Sequence, residues 1–337
     1  MTAHSADSLR RGLSERLGSL SRHDVSDMLR SGAVLILILL TAAVLAVGSP
    51  HFLDLLNLFN ILNQNAPLLI VASALTLVVI GGGFDLSTGA IFALSAVVSA
   101  KCAHDPFFIR WFGASACFLV GPMVGLGLGV INGVLITTLR VHSFLATLAT
   151  ALIFRGVAQQ IAGGNSLTLF DLMPAIEWPI LPRIGLITIA FMTMVGFCVA
   201  MAIILSRTIF GRHVFAVGGN EDAAVLAGIS PAKVRIGAFA LVGLAAGLAG
   251  SIGLSRVLAA KASDGAGLEF DAIAGVILGG NSIYGGAGAV WRSWAGVILL
   301  ALVNNGFNIL QIDPFYKDIA KGLIILSSVA IGVRRRA

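Results

Sequence analysis

Long runs of Leu, Ile, Val, Ala, Gly and Phe, separated by short polar punctuation, make up most of this chain. A helix needs roughly 20 apolar residues to cross a hydrocarbon layer of about 30 Å. By that measure candidate spans fall at residues 31–49, 59–80, 85–101, 113–138, 143–162, 184–206, 233–255, 269–282, 289–310 and 315–333. The spans at 85–101 and 269–282 are short, and the pattern beside them is broken by Gly81, Gly82 and Gly83 and by Gly279, Gly280, Gly285 and Gly286. They are expected to be half-helices or re-entrant pieces. The pattern predicts an all-α fold: a polytopic membrane helix bundle of about ten (roughly eight to ten) transmembrane helices.

One polar stretch interrupts the pattern at length. Residues 207–235, RTIFGRHVFAVGGNEDAAVLAGISPAKVR, lie between two long segments free of Asp, Glu, Lys and Arg. Asn220 can cap a helix whose first turn carries Glu221 and Asp222, where unpaired N–H groups and the helix dipole favour negative charge. Gly228 supplies a stop, and Ser230 and Pro231 read as cap and first residue of the next helix. Two helices therefore meet at a sharp corner. The first is only about two turns long, and isolated helices below roughly 12 residues are marginal in water, so packing must hold it. Ala223, Ala224, Val225 and Leu226 offer apolar surface for that contact. The stretch reads as a docking helix; on local features alone, a linker helix lying on its own bundle is the alternative.

Composition sharpens the class. Of 337 residues 57% are hydrophobic and 11% charged, against about 25% charged in an average soluble domain. No sizeable soluble domain fits. The organisation expected is a cytoplasmic N-terminal extension (1–30), one transmembrane domain (31–333) containing the 207–235 loop, and a basic tail (334–337). The forty glycines suit membrane helices, which approach closely through small residues. Cys102, Cys117 and Cys198 show no metal or redox spacing and read as packing residues. The first apolar run starts only after Arg30 and lacks a small-residue cleavage site, so a cleaved signal peptide is not expected.

With ten spans counted, the N-terminal arginines, Arg140, the 207–235 stretch and Arg334, Arg335 and Arg336 fall on one side. Short loops rich in Lys and Arg stay in the cytoplasm. Both termini and the docking helix are therefore expected there, with the basic ends meeting anionic lipid. A weak internal echo pairs Val78-Val79-Ile80-Gly81-Gly82 with Val276-Ile277-Leu278-Gly279-Gly280, and another pairs Asn132-Gly133 with Asn305-Gly306. Transporters often contain such repeats.

No G-x-x-x-x-G-K-[ST] phosphate loop occurs, so the chain cannot by itself cradle ATP in the usual way. No H-E-x-x-H, Ser-His pairing or carboxylate pair supports an intramembrane enzyme, so no catalytic and no metal residues are assigned. A self-sufficient secondary transporter would need an embedded acidic or ion-binding cluster, and only Asp318 comes near. Asp85 lies in the glycine-rich turn and is expected to cap the following helix, with Ser87 as a rival cap. Arg155 and Lys321 sit deep in apolar segments, where charge is expensive; structural roles are expected, bonding loop carbonyls or anchoring a dimer.

Several stretches together resemble one family. They are GGGFDLSTGAIFALSAVVSA (81–100), HSFLATLATALIFRGVAQQIAGG (142–164), FGRHVFAVGGNEDAAVLAGI (210–229), EFDAIAGVILGGNSIYGGAG (269–288) and NNGFNIL (304–310). In order and spacing they resemble the membrane permeases of bacterial ribose-type sugar ABC importers, from about residue 57 onward. Trp291-Arg292-Ser293-Trp294 departs from the small, Gly-containing stretch usual there. The resemblance implies an inner-membrane permease paired as two copies, two ATP-hydrolysing subunits that bind ATP and Mg, and a periplasmic sugar-binding protein. No cofactor in the chain itself and no nucleic-acid partner are expected. The resemblance also implies that Gly219, Asn220, Glu221, Ala223, Ala224 and Gly228 belong to the coupling helix, and that Asp85, Ser87 and Gly89 form a loop motif. A sugar path should offer neutral hydrogen-bonding groups. Candidates are Asn63, Asn65, Gln159, Asn304, Asn305 and Asn308, although intramembrane amides also bond helix to helix.

Overall fold

The computed structural model describes residues 22–175, 183–184, 187–313, 316–317, 319–323 and 326. Most of the N-terminal extension, Asp318, most of the 315–333 span and the basic tail lie outside the described residues. Thirteen α-helices are named here: α1 (Arg22–Gly48), α2 (Leu55–Gln64), α3 (Ala66–Ile80), α4 (Thr88–Ala103), α5 (Pro106–Phe112), α6 (Cys117–Leu139), α7 (Ser143–Ala162), α8 (Ile189–Arg207), α9 (Ile209–Gly219), α10 (Glu221–Leu226), α11 (Pro231–Val257), α12 (Leu268–Leu278) and α13 (Val290–Ile309). Two small antiparallel pairings accompany them, one joining Leu167–Thr168 to Ala259–Ala260 and one joining Arg183–Ile184 to Ile187–Thr188.

At the centre stands α3, buried on every side among α11, α8, α13 and α12. Its sequence APLLIVASALTLVVI has no polar face because every face is covered. Against α3 and α4 packs the tightest pair in the bundle, α6 with α11. Gly121, Gly125, Gly129 and Gly133 recur every fourth residue and so share one face of α6. A Cβ on Gly125 would fall 2.2 Å from the Gly243 carbonyl oxygen, and one on Gly243 would fall 2.2 Å from that of Gly125. The two backbones touch through small residues, the packing mode available where lipid removes the hydrophobic drive between helices.

Among the described residues, four helical segments are long and apolar enough to cross a membrane: Ala114–Leu139, Ser143–Ala162, Ile189–Arg207 and Pro231–Val257. A bent pair, α2 with α3, makes a fifth. The segments expected to be short are short, α4 and α12. The expected span 59–80 is corrected: it is broken at Asn65 with a 51° bend. The break follows from local chemistry. Pro67 occupies the first turn of α3, which favours a helix start there. The Asn65 side chain donates to the Ile61 carbonyl at 2.8 Å, and Arg256 donates to the Gln64 carbonyl at 3.2 Å, so the ends freed by the break are satisfied.

The first sequence echo is a repeated helix ending. Gly83 N–H donates to Val78 and Gly82 N–H to Val79; in the second copy Asn281 N–H donates to Val276 and Gly280 N–H to Ile277. Both are the double-bonded C-terminal cap with a left-handed residue, here Gly82 at φ 82° and Gly280 at φ 88°. Two stretches 198 positions apart thus stop α3 and α12 in the same way.

Candidate functional site: a capped corner and the loops behind it

The corner at residues 207–235 is held by local hydrogen bonds at each change of direction. Thr208 Oγ1 accepts from Gly211 N–H at 3.2 Å and starts α9. Asn220 Oδ1 accepts from Ala223 N–H at 2.9 Å and starts α10. The stop is again double-bonded, with Gly228 N–H donating to Val225 and Ile229 N–H to Ala224, both at 2.9 Å, and Gly228 at φ 79°. Ser230 Oγ accepts from Lys233 N–H at 3.4 Å, and Pro231 opens α11. Each cap expected within residues 207–235 is present.

The apolar residues of α10 divide. Ala224 turns inward and is 4% exposed, whereas Val225 is 53% and Leu226 90% exposed. Ala223, Gly219 and Gly228 lie on the outer surface. Glu221 pairs with Arg235 of α11, closing the corner from the side. Behind it lies a cavity of about 690 Å³ bounded by Glu221, Val225 and Arg235 on one flank and by Thr137, Arg140 and Ser143 on the other.

The loop motif lies next to this cavity. Phe84 N–H donates to Ser143 Oγ and Leu86 N–H to Thr147 Oγ1, both at 3.0 Å, so α7 pins the loop. The expected capping role of Asp85 and Ser87 is corrected, since neither side chain accepts from a helix amide. Asp85, fully buried, instead folds back on its own loop: Oδ1 accepts from Ser87 N–H at 2.8 Å and from Ser87 Oγ at 2.6 Å. Ser87 Oγ in turn accepts from Asn132 of α6 at 2.7 Å. A Cβ on Gly89 would fall 2.3 Å from the Gly265 carbonyl oxygen and 2.1 Å from the Glu269 carboxylate, so only glycine lets α4 approach the backbone leading into α12 this closely. Asn132, Ser143, Thr147 and Glu269 belong to this assembly although local sequence gave no sign of the pairing.

The amides proposed for a path separate into two groups. Asn63 accepts from Thr188 Oγ1 at 2.5 Å, Asn65 bonds its own helix, and Asn305 exchanges hydrogen bonds with Asn57 at 3.0 and 3.4 Å. Asn63 and Asn305 thus tie helices together, while Asn65 closes the end of α2. Asn304 keeps a buried Oδ1 with no hydrogen-bond partner, and Gln159 and Asn308 are exposed. Arg155 donates to the loop carbonyl of Ala262 at 2.7 Å, as expected of a structural cation. Lys321 pairs with Asp271 at 2.8 Å. The Trp291-Arg292-Ser293-Trp294 stretch fastens α13 to α3, with Ser293 bonded to Thr76 at 2.6 Å and Trp294 to Ser73 at 2.8 Å. Among the described residues no three His, Cys, Asp or Glu side chains gather as metal ligands.

A glycine-seamed bundle of membrane-length helices that projects a rigid, capped corner has the build of a transport subunit worked from outside. The whole-chain comparisons agree. Residues 57–329 match the family described as branched-chain amino acid transport system / permease component, and this chain belongs to that family of ABC-transporter permease components. It is a multi-pass membrane transport subunit and not an enzyme. It is similar to the ribose import permease protein RbsC of Bacillus subtilis, 36% identical over 87% of this chain and 90% of the relative. The RbsC of Escherichia coli K12 is 34% identical over 90% and 93%. The D-allose transport system permease protein AlsC of the same strain is 33% identical over 89% and 90%. No solved structure matches.

Proposed function

We propose that this chain is the translocating subunit of a binding-protein-dependent importer that carries a monosaccharide or related polyol across a bacterial inner membrane. ATP and Mg are bound by a separate ATP-hydrolysing subunit, which docks on the corner made by α9, α10 and α11. A periplasmic sugar-binding protein delivers the cargo, and two copies of the chain pair around the path. About ten crossings place both termini and the corner in the cytoplasm, where the basic ends meet anionic lipid.

The observation that carries the docking assignment is the exposure of Leu226, 90% accessible, on a six-residue helix whose two ends are both capped. A helix this short does not hold its shape alone. Here the caps, the buried Ala224 and the Glu221–Arg235 pair fix it, while its apolar tip faces outward. That is the form of a part that must transmit force. Displacement of the corner would rock the bundle and open the path alternately to each side, provided the partner binds the two states differently.

The cargo reading rests on the relatives. Those named above are ribose and D-allose permeases aligned along most of their length, whereas the family description names branched-chain amino acids. Within the chain, Asn304, Asn308 and Gln159 retain free hydrogen-bonding capacity suited to hydroxyl groups, whereas Asn63, Asn65 and Asn305 are already bonded within the protein. Uptake assays on the chain reconstituted with its ATP-binding subunit and binding protein test the cargo. Labelled pentoses and hexoses are compared with leucine, isoleucine and valine. ATP-dependent uptake of a sugar is expected; uptake of the amino acids alone overturns the reading.

A further inference from the structure

Three chain breaks far apart in sequence meet by backbone alone. They are the end of α3 at Ile80, the end of α9 at Gly218 and Gly219, and the turn between α12 and α13 at Gly285 and Gly286, with φ 86° and 72°. Gly286 N–H donates to the Ile80 carbonyl at 2.8 Å. That carbonyl lies in the last turn of α3, where helix carbonyls have no amide of their own helix to bond. A Cβ on Gly218 would fall 1.8 Å from the Ile80 oxygen and 2.9 Å from the Gly286 nitrogen, and one on Gly286 would fall 2.7 Å from the Gly219 Cα. No side chain separates the three strands of backbone. Asn220, which caps α10, is two residues further on.

We infer that Gly218 is a positioning residue for coupled transport, passing displacement of the docked corner directly to the ends of α3 and to the α12–α13 turn through its backbone contact with Ile80 and Gly286. This rests on the docking reading above. Side chains absorb small displacements by changing rotamer; close-packed backbone does not, so it transmits them. The surroundings favour one direction of motion. Glu221, Val225 and Arg235 face the cavity of about 690 Å³, so the corner has room on that flank and a backbone stop at Gly218. The two breaks it touches lead into the repeated helix endings of α3 and α12, which gives one push two receivers.

The test uses the full transporter in proteoliposomes, comparing Gly218→Ala with Gly196→Ala, an α8 position where an added Cβ meets nothing within 4 Å. Gly218→Ala is expected to assemble with the ATP-binding subunit and hydrolyse ATP within about twofold of the parent, while sugar uptake falls about tenfold or more. Gly196→Ala keeps both. Uptake by Gly218→Ala within about twofold of the parent overturns the inference, and so does a proportional fall of hydrolysis and uptake. Should Gly218→Ala fail to reach the membrane, the parent protein decides. Amide exchange of the peptide containing Gly286 is expected to change about tenfold or more when nucleotide is trapped, and unchanged exchange overturns the inference. Leu226→Asp reports on docking separately, since Leu226 takes no part in the junction. Intact assembly in Leu226→Asp sinks the docking reading itself; lost assembly there, with normal transport in Gly218→Ala, sinks only the junction.

Discussion

Glu221 and Arg235, fourteen positions apart, form an ion pair that closes the angle between α10 and α11. The two side chains are 46% and 36% exposed, and exposed pairs contribute about 0.2–1 kcal/mol. The pair sets the angle of the corner more than it stabilises the protein. Glu221→Gln is therefore expected to leave the thermal midpoint in detergent nearly unchanged. Glu221→Lys places like charges together and is expected to cut uptake about tenfold at unchanged membrane abundance. Parent-level uptake by Glu221→Lys in vesicles would remove the pair from the coupling path.

Leu226 and Ala224 sit two residues apart on α10 and face opposite ways, so a charge has different consequences at each. Leu226→Asp is expected to weaken co-purification of the ATP-binding subunit without lowering the amount of folded permease. Ala224→Asp buries an unpaired carboxylate beneath the corner and is expected to lower the thermal midpoint as well as uptake. Measuring both quantities for both variants separates an outward docking face from an inward packing face.

In α6, Gly125 and Gly127 differ by two positions and by everything around them. An added Cβ at Gly125 meets the α11 backbone at 2.2 Å, whereas at Gly127 it meets nothing within 4 Å. Gly125→Ala is expected to destabilise the bundle by about 1–3 kcal/mol. Gly127→Ala is expected to be neutral or to stabilise by about 0.4–1 kcal/mol. Opposite shifts of the midpoint in detergent confirm the α6–α11 seam; equal shifts contradict it.

Asp85 offers Oδ1 to two donors on Ser87 while its Oδ2 is buried without a partner. An asparagine keeps an oxygen for both donors and has no charge to bury. Asp85→Asn is accordingly expected to stay within about 1 kcal/mol of the parent, and Asp85→Ala to lose about 1–3 kcal/mol by orphaning the two donors. Equal damage from both substitutions would show that the charge itself is required.

What was legible in the sequence had short-range causes. Asn220, Gly228, Ser230 and Pro231 act on atoms within a few residues, so their roles could be read from spacing alone. The echo of Val78 to Gly82 in Val276 to Gly280 likewise became the same local helix stop twice. The partners of the Asp85 loop were not legible. Asn132 and Thr147 reach it from 45 and 61 positions away, and the glycine at position 89 signals close approach without naming Glu269. The path amides show the same limit. Composition identified polar residues in apolar segments, but only packing reveals that Asn305 is held by Asn57 and Asn63 by Thr188, while Asn304 retains a free oxygen. The bend at Asn65 was missed although its signal is local: Asn63, Gln64 and Asn65 interrupt the apolar run and Pro67 opens α3 just after them.

The central claim is that this chain does its work on energy delivered by a nucleotide-hydrolysing partner at the α10 corner. Sugar accumulation in proteoliposomes tests it most directly, measured for the chain alone under an ion gradient and for the chain with its ATP-binding subunit, binding protein and internal or external ATP as orientation requires. Accumulation against a gradient only in the complete, ATP-supplied system is the predicted result. Uphill accumulation by the chain alone on the ion gradient would contradict it.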